Sequence, residues 1–154
     1  MTAITLAQAD RLIDAILARG AELDCRPLSV IVVEPGCKVK AFKKEDGSSM
    51  IRFEMAYGKA YAALAMGRSS KLVKVRAEEK PIFMRYLIAA TDEQIFPEGG
   101  GLQIRDAAGE DGVDKAVGLR EGDGGHGASK LVAVDARAAP AYAGANRVPS
   151  LVDS

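Results

Sequence analysis

Leu28-Ser29-Val30-Ile31-Val32-Val33-Glu34-Pro35-Gly36-Cys37-Lys38-Val39-Lys40-Ala41-Phe42-Lys43-Lys44 is the stretch on which the fold turns. Its first six residues are β-branched or apolar almost throughout, which suits a strand covered on both faces rather than one with a wet side. Glu34-Pro35-Gly36-Cys37 then supplies turn chemistry, Pro fixing φ and Gly accepting a positive φ. Lys38 to Lys44 carries a lysine at almost every second position and reads as a partly exposed partner strand, so the pair forms a β-hairpin.

Helices are expected on both sides of it. Upstream, Thr5 and Gln8 have the spacing of a capping box, in which each side chain bonds the other's backbone N–H. Leu6, Ala9, Leu12, Ile13, Ile16 and Leu17 then recur at helical spacing, with Asp10, Arg11, Asp14 and Arg19 on the other face and Gly20 as the expected stop. Downstream, Asp46-Gly47-Ser48-Ser49 punctuates the chain, and Ser48 or Ser49 can cap a long helix from Met50 to about Met66. Phe53, Ala56, Tyr57, Ala60, Ala63 and Leu64 lie along one side of that helix, the alanines permitting close approach to the sheet. Gly67 ends it. Ser69 or Ser70 can cap a short helix through Arg76, and Pro81, favoured at a first helical position, opens another through about Ala90.

The last third differs. Most of the 16 glycines lie between Gly99 and Gly127, and of the aromatic residues only Tyr142 follows Phe96. Gly101 to Arg105 alternates as a strand, and Val113, Val117 and Leu119 suggest a weaker one joined to it at Ala108-Gly109, giving a second hairpin. Arg120 to Gly127 reads as a loop, and Ala128 to Ala139 as a helix broken by Pro140. The expected fold class is α+β: an antiparallel sheet built from two β-hairpins, with N-terminal, long central and shorter helices packed on it. One domain over residues 1–140 and a flexible tail over 141–154 complete that expectation.

Composition excludes several functions. Lys plus Arg and Asp plus Glu both number 21 in 154 residues, so no net field draws a polyanion, and nucleic acid is not an expected partner. The longest apolar runs fall short of the roughly 18 residues a spanning helix needs, and the N-terminus lacks the basic-then-apolar pattern of an export signal. A cytoplasmic protein without a membrane partner is the expectation. Cys25 and Cys37 are too few for a disulfide framework and have no zinc-site spacing.

The order of these motifs resembles the GlcG/HbpS family over about Thr5 to Gly109. The matching stretches are Thr5-Leu6-Ala7-Gln8-Ala9, Val32-Val33-Glu34-Pro35-Gly36, Ala41 to Ser48, Ala56-Tyr57-Gly58-Lys59-Ala60 and Met66-Gly67-Arg68-Ser69-Ser70. Pro97-Glu98-Gly99-Gly100-Gly101, leading to Ile104-Arg105-Asp106, completes them. The resemblance implies an antiparallel sheet with helices packed on it, assembly into homo-oligomers, and either haem binding or degradation or a place beside enzymes that catabolise small organic acids. The family's usual Gly-Asp-Thr-Ser-like turn has only faint echoes here, in Ala116-Val117-Gly118 and Gly122-Asp123.

Candidate site residues follow, each with an ordinary structural alternative. The resemblance places Lys59 facing a cleft, where partial desolvation would lower its pKa and suit it to proton transfer or to binding a carboxylate; a solvated surface lysine is the alternative. Ser69, Ser70, Gly99, Gly100 and Gly101 can offer hydroxyls and backbone N–H groups to an anion, or simply cap and turn. Lys38, Lys40, Lys43 and Lys44 can steer carboxylates, or guard a sheet edge. Asp46 can pair with Arg68 or Lys59, or begin the turn at Gly47. Tyr57 and Tyr61, four apart, read as packing residues rather than a stacking platform. His126, the sole histidine, excludes a multi-histidine metal site and is the candidate axial ligand for haem, or else an exposed loop residue. Two functions are thereby expected. One is an oligomeric binder of a small anionic ligand, haem or porphyrin-like. The other is an isomerase or tautomerase, or an accessory subunit, in the catabolism of a small oxo-acid.

Overall fold

A computed structural model describes residues 4–103, an α+β arrangement in the order α1 (Leu6–Glu22), β1 (Ser29–Glu34), β2 (Lys38–Lys44), α2 (Arg52–Ala65), α3 (Ser70–Glu79) and α4 (Pro81–Ala90). The described strands form one antiparallel two-stranded sheet. Residues 101–103 are irregular, and the remainder of the expected second hairpin, His126, the Ala128–Ala139 helix and the 141–154 tail lie outside the described residues.

β1 is covered on both faces, as its composition demands. Val30 and Val32 pack against Ala9, Leu12, Ile13 and Ile16 of α1, while Ile31 and Val33 pack against Ala56 and Ala60 of α2. A third cluster joins Ala62 of α2, Val73 of α3, Met84 of α4 and Ile95. The hairpin turns at Glu34-Pro35-Gly36-Cys37, where Gly36 has φ +79° and the Cys37 N–H donates to the Glu34 carbonyl at 3.0 Å. This is the Pro-Gly placement of a type II turn. Val32 pairs with Ala41 but Val33 with Val39, so Lys40 is the extra residue of a β-bulge.

Three helix ends share one hydrogen-bond pattern, the Schellman motif, whose left-handed residue sits just past the cap. Gly67 takes that place after α2, with φ +62°, its N–H donating to Leu64 O and that of Arg68 to Ala63 O. After α1 and α4 the same conformation is taken by Asp24 and Asp92. The Thr5–Gln8 capping box is formed on α1, but α1 runs through the expected stop at Gly20. Gly20 is instead buried where an added Cβ would overlap the Leu28 side chain. It is a packing notch, and Asp24 does the stopping.

α2 begins at Arg52 rather than Met50 and has no side-chain cap; Ser48 donates its hydroxyl to the Leu28 carbonyl at 3.4 Å instead. α3 extends to Glu79, three residues past the expected end, and Lys80 alone separates it from α4. Pro81 occupies the first turn of α4. The residue before a proline is held out of the helical region, which is why the two helices break there.

Candidate functional site

Lys59 lies in the middle of α2 and is 2% exposed. Its sequence neighbours Gly58 and Ala60 are too small to hide it. Among the described residues, 94–101 cross α2 at this point and lie over it. The Phe96 N–H donates to the Gly58 carbonyl at 3.1 Å, and a Cβ on Gly58 would stand 2.7 Å from Phe96 Cβ. A Cβ on Gly101 would stand 2.9 Å from the Lys59 carbonyl carbon and overlap its oxygen. Glycine at both positions therefore lets two backbones meet where any side chain would hold them apart.

The crossing is fastened further along. The Gly101 N–H donates to Ser70 Oγ at 2.6 Å, and the Ser70 N–H donates back to the Gly101 carbonyl at 2.8 Å. Glu98 accepts from Lys74 Nζ at 2.9 and 3.2 Å and from the Gly99 N–H at 2.9 Å. The ring of Phe96 faces Lys59, with Nζ 5.6 Å from its centroid, a cation–π contact.

These surroundings set the charges. Burial holds the Lys59 ammonium below its ordinary proton affinity, the field of Glu98 opposing that shift and those of Arg52 and Lys74 adding to it. The bond from Lys74, then that from Gly99, lowers the Glu98 carboxyl below the usual range, and the same bond raises Lys74. An ammonium withdrawn from bulk water can exchange a proton near neutrality more readily than a surface lysine, or attract a carboxylate in a medium that screens poorly.

Of the expected site residues, Lys59, Ser70, Gly99, Gly100 and Gly101 are brought together, with Ser69 at the N-cap of α3 beside them. Ser70 and Gly101 spend their polar groups on each other. Lys44 and Asp46 are exposed near the β2–α2 turn, and Arg68 is exposed beyond Gly67. Asp46 forms no ion pair among the described residues. In the basic run, Lys40 pairs with Glu34, and Lys43 with Asp14 at 2.7 Å. Tyr57 and Tyr61 are half-buried in a row of rings with Phe53 and Phe42, and the Tyr57 hydroxyl reaches the Cys37 carbonyl at 3.2 Å.

Glu98, Phe96 and Lys74 were not singled out from sequence. The available signal was Gly58: a glycine inside a helix costs about 1 kcal/mol against alanine, so it marks a close backbone approach.

A small α+β domain with a strand covered on both faces, and a lysine buried under a glycine-rich crossing, defines the class of the protein. The sequence model of the family described as "Haem degrading protein HbpS-like" matches residues 4–119, and the chain belongs to that family. The match includes Gly58, Lys59 and 97–101 and ends before His126. Searches of curated proteins and of solved structures returned no match.

Proposed function

We propose that this chain binds a small anionic ligand of the haem or porphyrin type at the Lys59 site. The observation that carries this reading is the burial of the Lys59 ammonium against the Phe96 ring. The propionates of a porphyrin are carboxylates, and its macrocycle favours an aromatic wall, so the pair Lys59 and Phe96 suits both parts. In this reading Lys59 would hold a propionate and His126 would be the axial ligand; bound haem would supply the redox-active iron. Ser69 and the glycines 99–101 would shape the rim.

The protein would act as a homo-oligomer, a reading supported by exposed apolar side chains on α3 and α4: Leu72, Val75, Ile82, Phe83 and Tyr86, of which Ile82 is 83% and Tyr86 71% exposed. The free thiols of Cys25 and Cys37 suit a cytoplasmic setting. The lowered proton affinity of Lys59 favours one further reading, a proton-transfer enzyme acting on a small oxo-acid.

The test is a haem titration followed by visible absorption, on wild type, Lys59→Met and His126→Ala, with molar mass taken by light scattering. A saturable Soret shift is expected in wild type, with affinity down about tenfold in Lys59→Met, as for loss of one charge-assisted contact. The axial-ligand band should vanish in His126→Ala. Absence of saturation in wild type would overturn the haem reading and turn attention to oxo-acids.

A further inference from the structure

We infer that residues 96–100 form a lid over Lys59, held at two fixed anchors and able to open between them without unfolding the domain. The inference rests on the binding reading for its purpose and on the geometry of the crossing for its mechanics. One anchor is Ile95, buried with Ala62, Val73 and Met84 of the three helices. The other is Gly101, buried and tied to Ser70 by two hydrogen bonds.

Between the anchors the hold is lighter. Phe96 is 36% exposed, and 97–100 are half-buried. The Glu98–Lys74 bridge is solvent-facing on both sides, the kind of pair that adds little. Of the backbone–backbone hydrogen bonds among the described residues, only that from the Phe96 N–H to the Gly58 carbonyl ties the lid to α2. Gly99 and Gly100 provide the bend: Gly100 already has φ +120°, and a Cβ on Gly99 would meet nothing within 4 Å.

Lys59 is thus sealed by the weakest part of the crossing, while the parts that position α2 and α3 are strong. A carboxylate-bearing ligand would reach the ammonium as the segment swings aside, its negative charge taking the place of the Glu98 field and the Phe96 ring closing back against the ligand as a wall. The two anchors would stay where they are. This explains how a site can present a lysine that is closed to water at rest.

Reductive methylation with formaldehyde and cyanoborohydride, quantified per lysine by mass spectrometry, measures the opening with no haem or porphyrin present. Lys71, exposed on α3, is the internal control. Glu98→Gln removes the bridge charge and should speed Lys59 methylation about threefold, the value of an exposed ion pair. Gly99→Ala fits the closed lid but restricts the open one, and should slow methylation about two- to fivefold. Hydrogen exchange at the Ile13 and Ile16 amides, inside α1 on its buried face, reports global unfolding. The lid is supported if Lys59 reacts faster than those amides exchange and the two variants move it in opposite directions. It is overturned if Lys59 reacts only at the global unfolding rate, or if neither variant changes its rate. Failure of the haem titration would leave this measurement untouched, and the reverse also holds.

Discussion

The two faces of β1 are packed by different means. Toward α1, Val30 and Val32 meet Ile13, Ile16 and Leu12, and the layers are joined by branched side chains filling volume. Toward α2, Ile31 and Val33 meet Ala56 and Ala60, so the helix backbone lies close to the sheet. On its other side α2 meets a second backbone at Gly58 and Gly101, with a buried charge between. Side-chain packing tolerates exchange of one apolar group for another, whereas backbone contact tolerates almost nothing. The α1 side makes a stable platform, and the α2 side spends some of that stability on holding Lys59 out of water.

Gly101→Ala should give the largest effect. Its Cβ would overlap the Lys59 carbonyl, which is committed to the α2 ladder, and would press on Ser70 Oγ at 2.9 Å. Neither helix can yield without losing the paired bonds between Ser70 and Gly101. A destabilisation of about 3 kcal/mol is expected, at the upper end for overpacking. Thermal unfolding should shift down by about 10 °C. A loss under about 1 kcal/mol would mean that the backbones relax apart, and the contrast between the two sides would fail.

Local devices are the more legible in sequence, for a physical reason. Covering a β-branched strand on both faces, capping a helix with Thr5 and Gln8, and turning at Pro35-Gly36 or stopping at Gly67 are local devices whose signals sit beside their effects. Lys59 is covered by residues about forty positions later, so its small neighbours point to solvent, the family resemblance to a cleft, and neither to full burial. Ser70 looked like a cap or an anion donor because its partner, Gly101, is equally remote. Gly20 was read as a stop because glycine serves both as a terminator and as a notch, and here Asp24 adopts the left-handed conformation instead. Lys44, Asp46 and Arg68 are candidates by charge and resemblance, yet the turn that carries the first two is fastened around Leu28 by Glu45 and Ser48.

Lys59→Met keeps an unbranched side chain as far as Cε and removes the ammonium, testing whether the α2 side carries an electrostatic cost. Burial lowers the folded lysine's proton affinity, so between its folded pKa and the ordinary value of about 10.4 the unfolded chain binds more protons. Wild-type stability should therefore rise with pH through that window, and the Met variant should lack the rise. At neutral pH the variant is expected to be more stable by about 1 kcal/mol, the cation–π contact, the Glu98 field and the lysine's other contacts offsetting part of the desolvation cost. The gap should close toward pH 10. Chemical denaturation at several pH values checks this; a variant less stable than wild type at pH 7 would make the ammonium a net contributor to the fold.

Gly20→Ala is the matched control on the α1 side, and the smallest effect. Its Cβ would overlap an atom as closely as that of Gly101 does, but the atom is Leu28 Cδ1, the end of a side chain that can rotate. Moving that methyl off its preferred rotamer costs about 0.5–1.5 kcal/mol. Replacing an interior helical glycine with alanine returns about 1 kcal/mol. The two nearly cancel, and the expected change in stability is within about 0.5 kcal/mol by equilibrium denaturation. The same overlap thus has consequences of very different size according to what it strikes. A loss for Gly20→Ala as large as that for Gly101→Ala would show that Leu28, locked between α1 and the β2–α2 turn, is as unyielding as backbone, and the distinction between the two faces of β1 would no longer stand.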